Sequence, residues 1–316
     1  GFYHYGSSGT YLPVKEKEKM ASVTFDNATR LYPGGVRPAV DKINLEIADG
    51  DQPMSVAEHL ERNVRMNPAL SSPWHLDSKA LAELEPSVAE RFAQGLFLPR
   101  EGQLDNRQLL TALLQALQQL PVTFHWHTAC EPEELKGQAF DWVIDCRGLG
   151  AKTSWSNTHN PLRGVRGEVI RVHAPEVKLQ RPTRLIHPRY PIYIAPKEND
   201  LYVIGATEIE SEDLSPVSVR SSMELLSAAY SVHSGFAEAR ILESATQCRP
   251  TLKNNLPEIC VPRAGLMQIN GLYRHGYLIA PALVDTAQEL LQETDSALAR
   301  RFEIAVHHHD RMSSFA

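Results

Sequence analysis

The sequence predicts a mixed α/β (α+β) protein in which helices lead into strands, some of them in hairpin-like pairs. Residues 104–120, LDNRQLLTALLQALQQL, place apolar side chains at helical spacing after an Asp-Asn start signal. Residues 141–150, DWVIDCRGLG, form an apolar run that ends in a glycine turn, as expected for a covered strand. Short apolar runs between residues 167 and 207 follow each other as antiparallel partners do.

The other elements follow from the same periodicities. The predicted helices span residues 57–66, 79–95, 104–120, 217–231 and 282–291. The predicted strands span residues 122–127, 142–146, 167–173, 193–196, 201–207, 239–248, 266–270 and 277–280. Polar residues after 305 predict a flexible tail at 306–316, in which His307, His308 and His309 are solvated rather than bound to a metal.

The first 51 residues differ in character from the rest of the chain. A Gly-, Ser- and Tyr-rich opening and the charged run KEKEK precede Met20. Residues 20–50 alternate around a Pro-Gly-Gly turn, which is typical of a hairpin, and they resemble the start of a sugar-type ABC-transporter ATPase. The GxxxxGK[ST] loop that comes next in that family does not occur in the sequence. We therefore expect residues 1–51 to be a hairpin-forming or disordered leader without ATPase activity.

Composition and charge exclude several classes of protein. The chain has 316 residues, 42% hydrophobic and 22% charged, which is the composition of a soluble globular protein. A net charge of -6 and a pI near 6.1 argue against binding to nucleic acid or to an anionic membrane, because both need a cationic surface. No apolar stretch approaches the roughly 18 residues of a membrane span, and we expect no signal peptide.

The cysteines indicate a reducing compartment. They are widely spaced without a CxxC motif, so neither a disulfide framework nor a zinc site is predicted. These residues are Cys130, Cys146, Cys248 and Cys260. We expect a cytoplasmic protein without a bound metal.

Two glycine turns are candidate nucleotide contacts. Gly148 and Gly150 form a GxG after a strand, but a third glycine is absent, so this stretch read alone favours a plain tight turn. Arg166 and Gly167, in GVRGE, lie at the mouth of a strand where glycine permits the close approach of a flat ligand. Read alone, this stretch favours an ordinary bulge.

Arginine and tyrosine side chains are candidate substrate contacts. Arg249 in CRP and Arg274 in YRHG stand at the ends of predicted strands, and the planar guanidinium suits a carboxylate. Two surface arginines on unrelated loops are the alternative. Tyr193 and Tyr202 lie in a predicted strand pair and face either the core or a cavity. The acidic segment EIESEDLSP near Glu208 is predicted to be a solvated loop.

Seven segments in this order resemble the FAD-dependent glycine oxidase and D-amino-acid oxidase family, especially the glycine oxidase of thiamine biosynthesis. The resemblance covers about residues 52–305. It rests on LEPSVAERFAQGLFLPREGQLDNRQLL, FDWVIDCRGLGAK, LRGVRGEVIRV, HPRYPIYIAPK, LYVIGATEIES, CRPTLKNNLPEI and GLYRHGYLIAPAL.

The resemblance implies roles for individual residues. Arg249 and Arg274 would hold the substrate carboxylate, and Tyr193 would assist them. The segments that would line the flavin contain Gly148, Arg166, Gly167, His275, Gly276, Tyr277 and Leu278.

The resemblance also implies an organisation into domains. An incomplete FAD-binding Rossmann-like domain would comprise about residues 104–160 and 262–305. A mixed, largely antiparallel substrate-binding sheet with helices would comprise about residues 52–103 and 161–261.

The implied reaction oxidises glycine or a small amino acid to the imino acid, with hydride transfer to FAD and release of peroxide. The partners would be the amino-acid substrate and oxygen, with no nucleic acid and no membrane, and the sequence leaves homo-oligomer formation open. Such a site needs no metal and no covalent nucleophile, because orienting the substrate C–H bond toward the flavin is the main task of the protein.

One departure from the family concerns the nucleotide. Family members begin with a strand, a GxGxxG loop and a helix, and this sequence contains no GxGxxG. Without that helix start the pyrophosphate would lack its main anchor, so we expect weak or absent retention of FAD. A non-catalytic remnant or fusion product that binds no FAD is therefore one alternative, and an ABC-transporter ATP-binding fragment is another.

Overall fold

The computed structural model describes residues 40–48, 74–135, 140–186, 191–293 and 295–308. The predicted helix at 57–66 and most of the leader lie outside these residues. In the described part of the chain the strands form two sheets, with helices packed against both. The prediction of a mixed α/β fold is confirmed.

Strands and helices alternate irregularly along the described residues. The strands are β1 Val40–Ala48, β2 Trp74–Leu76, β3 Gly95–Leu104, β4 Val143–Asp145, β5 Arg163–His173, β6 Thr183–Ile186, β7 Ile192–Pro196, β8 Leu201–Gly205, β9 Arg240–Thr251, β10 Glu258–Arg263, β11 Leu266–Asn270 and β12 Ala305–His308. The α-helices are α1 Ser78–Leu84, α2 Pro86–Ala89, α3 Asn106–Leu117, α4 Val219–Val232, α5 Gly276–Gln292 and α6 Ala297–Phe302.

The large sheet has the strand order β2-β3-β1-β6-β7-β8-β5-β9. Its neighbours are antiparallel except for the parallel pair β1 and β6. Helix α4 covers one face, where Leu225 and Val232 belong to the same buried cluster as Ile170, Ile194 and Ile204. Residues 40–48, which the sequence analysis placed in a separate leader, form β1 in the middle of this sheet.

The small sheet has the order β12-β10-β11-β4. Strands β10 and β11 are antiparallel, and the outer pairs are parallel. Helix α5 packs on it through Leu283, Ala287 and Leu290, which meet Ile259 and Met267 in a second buried cluster. Its edge strand β12 falls in the segment that the sequence assigned partly to a flexible tail, because residues 305–308 pair with β10.

Helix α3 confirms the clearest sequence signal. Asp105 caps it by accepting hydrogen bonds from the backbone N–H groups of Arg107 (3.1 Å) and Gln108 (3.0 Å). Its apolar stripe is nevertheless exposed, and no described residue covers it. The members of the stripe are Leu110, Leu113 and Leu117.

Several sequence predictions are wrong. Residues 122–127 form no strand, since no described strand pairs with them. Residues 277–280 belong to α5 rather than to a strand, because the apolar face of that helix packs on the small sheet despite Pro281. Strand β4 is not covered on both faces, since 44% of Ile144 is exposed. Residues 79–95 form two short helices, because Pro86 disfavours helical backbone at the preceding residue.

Among the described residues, no helix is both long and apolar enough to cross a membrane.

Glu85, at the junction of α1 and α2, links these helices to the segment before β6. Its buried carboxyl group accepts a hydrogen bond from the Gln180 N–H (3.1 Å) and lies 3.7 Å from Arg181 Nη1. Burial raises the pKa of Glu85 to about 7, against the hydrogen bonds and the Arg181 charge, which lower it. The folded protein therefore keeps a proton there that the unfolded chain releases near pH 4.5.

The free energy of unfolding should fall as the pH rises from about 5 to 7, because only the unfolded chain loses the Glu85 proton in that range. In urea titrations at each pH, we expect the loss of unfolding free energy between about pH 5 and pH 7 to be about 1 to 3 kcal/mol smaller in Glu85→Gln than in the wild type. Glu83→Gln, which changes an exposed carboxylate on the same helix, should keep the wild-type slope. Equal slopes in all three proteins would contradict the assignment.

Candidate functional site

The pairing of β5 with β9 determines the position of Arg249. Arg249 lies opposite Val165, so both side chains point to the same face of the sheet as Gly167. The guanidinium group rests directly on Gly167. A Cβ atom at position 167 would overlap Arg249 Nη2, so only glycine leaves room for this arrangement.

Tyr193 lies on the same face, two strands away. In β7 it pairs with Gly205 of β8, which in turn pairs with Val169 of β5. The tyrosine ring covers Gly205, because a Cβ atom there would lie 2.8 Å from the Tyr193 hydroxyl oxygen. Two bare glycine positions thus let an arginine and a tyrosine lie flat on one sheet face.

Arg274 reaches this face from the small sheet. It follows β11, where the Tyr273 N–H donates a 3.1 Å hydrogen bond to the Pro250 carbonyl beside Arg249. Arg274 Nη1 lies 2.8 Å from a carboxylate oxygen of Glu208, and the Tyr273 hydroxyl donates to the other oxygen. Arg249 and Arg274 lie near each other, because Arg249 Nη1 donates to the Thr207 carbonyl at 3.3 Å and Arg274 binds the next residue along the chain, Glu208. Tyr193 lies on the same sheet face as Arg249, within range of both charges.

Burial and like charge determine the electrostatics of this cluster. The pKa of Arg249 is lowered by burial and then by the nearby charge of Arg274. Burial raises the pKa of Tyr193, although the two arginines oppose the shift. Burial and the hydrogen bond to Glu208 raise the pKa of Tyr273. Both tyrosine hydroxyls therefore stay protonated at neutral pH and can donate hydrogen bonds.

The predicted flavin-lining residues 275–278 lie at the start of α5. His275 is the N-cap residue, and the first helical hydrogen bonds run to its carbonyl from Leu278 (2.9 Å) and Ile279 (3.0 Å). The N–H groups of Gly276 and Tyr277 precede those bonds and have no acceptor within the helix. This helix start is accessible, since 49% of Tyr277 is exposed.

Gly148 joins the two sheets next to the arginines. It has a positive φ of 58° at the start of a short 3-10 helix, and its carbonyl accepts a 2.9 Å hydrogen bond from the Asn270 side chain. Its open side faces Pro250, whose Cγ would lie 3.5 Å from a Cβ at this position.

Arg166 is not part of this cluster. Because side chains alternate between the two faces along β5, Arg166 lies on the opposite face of the sheet from Gly167, where it is 4% exposed. Its guanidinium lies 2.6 Å from Glu168 and donates to the carbonyls of Asp213 and Pro216. The sequence interpretation grouped Arg166 with Gly167 because they are adjacent in the chain. Successive residues of a strand point to opposite faces of the sheet, so the two residues lie on different sides.

Glu208 and Tyr273 are the members of the cluster that the sequence analysis missed. The prediction of a solvated acidic loop is wrong for Glu208, whose side chain is 19% exposed and paired with Arg274. It holds for Glu210, whose side chain is 68% exposed. Glu208 could have been identified from the sequence, because two arginines predicted to bind the same ligand require a counter-charge and Glu208 comes shortly after β8.

A large antiparallel-dominated sheet, a smaller sheet with a helix start at its edge, and two neighbouring arginines between them are the arrangement of a protein that binds a nucleotide cofactor. The chain belongs to the FAD-dependent oxidoreductase (DAO) family, whose model matches residues 34–290. The recognition made from the sequence is thereby confirmed. The described residues contain no group of three or more His, Cys, Asp or Glu side chains that could hold a metal ion.

Two relatives illustrate the similarity. The thiamine biosynthesis oxidoreductase ThiO of Rhizobium etli is 42% identical over 225 residues, which are 71% of this chain and 66% of the relative. The glycine oxidase of Geobacillus kaustophilus is 26% identical over 245 residues, covering 71% of this chain and 63% of the relative. The chain thus spans about two thirds of the length of these relatives or slightly less.

Solved structures show the same fold. The G. kaustophilus glycine oxidase superposes with a TM-score of 0.68 at 23% identity, covering 83% of this chain and 74% of that chain. Iminodiacetate oxidase from Chelativorans sp. BNC1 superposes with a TM-score of 0.70 at 18% identity, covering 87% and 79%.

A separate short match agrees with the ATPase-like segment. The diacetylchitobiose ATP-binding protein MsiK of Streptomyces coelicolor is 62% identical over 32 residues, which are 10% of this chain and 8% of that protein. A match of this length shows no ATPase function.

FAD is the cofactor of this family, and the described residues fit its ring end. The outer side of Gly276 is open, since a Cβ there would meet nothing closer than Leu272 at 3.7 Å. The N–H groups that point outward from the N-terminus of this 17-residue helix suit an electron-rich carbonyl edge of the flavin ring. For the pyrophosphate the described residues offer no glycine-rich loop ahead of an α-helix, since Gly148–Ala151 forms only one 3-10 turn.

Gly167→Ala should displace Arg249, because the added Cβ would overlap its guanidinium. We expect binding of acetate, measured by calorimetry, to weaken about 10-fold or more as the charge-assisted bond loses its geometry. Gly150→Ala is the control, since its Cβ would lie 3.4 Å from the Arg147 side chain and requires little movement. Unchanged acetate binding in Gly167→Ala would show that Arg249 does not hold the anion from this position.

Proposed function

We propose that this site oxidises glycine or another small amino acid to the imino acid, with hydride transfer to FAD and release of peroxide. The convergence of Arg249, Arg274 and Tyr193 on one sheet face beside the start of α5 is the observation that carries this proposal. The names of the relatives, an oxidoreductase of thiamine biosynthesis and a glycine oxidase, support it.

Substrate anchoring is the first task of the protein. Arg249 would bind the carboxylate, and the Tyr193 hydroxyl would donate a further hydrogen bond. Arg274, which is paired with Glu208, would add positive charge beside them. A charge-assisted bond is stronger in a partly buried site than in water, because the local dielectric constant is lower. Holding the carboxylate at this end fixes the direction in which the substrate α-carbon points.

The cofactor is proposed to lie along the start of α5. When bound, FAD supplies the two-electron acceptor for the substrate C–H bond and passes the electrons to oxygen. Gly276, Tyr277 and Leu278, after His275, would face the ring with their backbone. Gly148 would allow its close approach, and Gly167 would act through Arg249, whose guanidinium lies on it. Arg166 would act indirectly, by holding the segment after β8 through Asp213 and Pro216.

The sheet memberships support the proposed division into domains. Residues about 161–261 contain strands β5 to β9, each of which belongs to the large sheet. Residues about 262–305 contain strand β11 of the small sheet and helix α5, which packs on that sheet. Strand β10 begins at Glu258, slightly before the proposed boundary. A cytoplasmic location is proposed because Cys130, Cys146, Cys248 and Cys260 are all free thiols.

A second candidate function is the alternative given in the sequence analysis, a substrate-side remnant that does not retain FAD. The purified protein distinguishes the two, since yellow flavin absorbance and glycine-dependent peroxide support the oxidase. A colourless protein that stays inactive with added FAD supports the remnant.

Arg249→Leu should weaken acetate binding about 10- to 100-fold, because a charged hydrogen-bond partner contributes about 1.5–3 kcal/mol. Calorimetry on the purified chain measures this without turnover, and glycine-dependent peroxide release with added FAD should fall in parallel. Arg220→Leu removes a surface arginine with a 75% exposed side chain and should leave both readouts unchanged. Equal acetate affinity in all three proteins would refute the proposed anion site.

A further inference from the structure

The two arginines of the cluster have different surroundings. Arg274 is paired with Glu208 at 2.8 Å, and both side chains are largely buried, at 22% and 19% exposure. Arg249 donates from Nη1 to the Thr207 carbonyl at 3.3 Å, and no described carboxylate forms an ion pair with it. Arg274 is ion-paired with Glu208, whereas Arg249 hydrogen-bonds to a neutral carbonyl and interacts with the Glu208 charge only from a greater distance.

Glu208 is fixed in place by its neighbours in the chain. The Thr207 hydroxyl donates to Glu168 at 3.0 Å, and its N–H donates to the Glu168 carbonyl at 3.2 Å. Ile209 exchanges two backbone hydrogen bonds with Arg166, at 2.8 Å and 3.0 Å. These bonds hold the Glu208 backbone against β5 on both sides, and the bonds from Tyr273 and Arg274 hold its carboxylate group.

We propose that Glu208 restricts this site to amino acids that carry a single carboxylate group, an inference that rests on the proposed function. Among the charged side chains described in this cluster, Arg249 and Arg274 contribute two positive charges and Glu208 one negative charge. The net charge of +1 matches one substrate carboxylate, which binds Arg249 and Tyr193.

A second substrate carboxylate meets two obstacles. Its natural partner, Arg274, is occupied by Glu208 and by the hydrogen bond between Glu208 and Tyr273. Its charge would also lie close to that of Glu208 in a partly buried site, where like charges repel more strongly than in water. Specificity therefore arises from a repulsive group as well as from attractive ones.

The test compares the binding of acetate and malonate by the purified full-length chain. Calorimetry at constant pH and ionic strength gives both dissociation constants for the wild type and for Glu208→Gln. The amide keeps the shape of the side chain and removes its charge, so the malonate constant should fall roughly 10-fold while the acetate constant changes less than about 3-fold. Glu208→Met provides a second uncharged variant should Glu208→Gln not fold.

Glu210→Gln is the matched control, because Glu210 lies two residues further on, pairs with Arg163 and is exposed. It should keep the wild-type ratio of the two constants. If the wild type binds acetate but the uncharged variants do not gain preference for malonate, the role of Glu208 is overturned and the proposed function survives. If the wild type binds neither anion and Arg249→Leu makes no difference, both fail together.

Discussion

The face of the large sheet that carries the site depends on the absence of side chains at two positions. Strands β5 and β9 pair continuously from Arg163 opposite Thr251 to the bulge at Arg171, and this register sets Arg249 next to Gly167. Any larger residue at 167 would collide with the guanidinium, and any larger residue at Gly205 would collide with Tyr193. Glycine in a strand ordinarily weakens it. Here it lets two polar side chains lie flat where a cofactor or substrate can meet them.

The opposite face of β5 supports the site from behind. Arg166 and Glu168 form an ion pair that is almost fully buried, at 5% and 0% side-chain exposure. Burial alone would raise the pKa of Glu168, yet hydrogen bonds from Ser221, Arg166 and Thr207 lower it. A buried pair contributes little net stability after desolvation. Its clear structural effect is to fasten the segment after β8, and with it Glu208, to the sheet.

The sequence predicted the elements whose signals are local. The Asp105 cap and the apolar spacing after it located α3, and Gly265 and Gly271 bound β11. The start of α5 was missed because Tyr277 to Ala280 is an apolar run ahead of Pro281, which suits a strand as well as a helix. Only the packing of α5 on the small sheet separates the two readings. For the site, the sequence singled out Arg249, Arg274 and Tyr193. It misplaced Arg166 and Glu208, because which face a strand residue occupies and which loop carboxylate is buried are set by partners distant in the chain.

The two arginines are brought together by the junction between the sheets rather than by their own attraction. Arg249 lies two residues before the end of β9 in the large sheet, and Arg274 follows β11 of the small one. The Tyr273 to Pro250 hydrogen bond and the packing of Gly148 on Pro250 join the two segments. Because like charges repel, this convergence is costly unless anions compensate it. The pKa of Arg249 is lowered first by burial and then by the charge of Arg274. Glu208 supplies one such anion permanently. The second positive charge has no ion-paired carboxylate among the described residues, and this excess charge is the physical basis for the proposal that the site binds an acid.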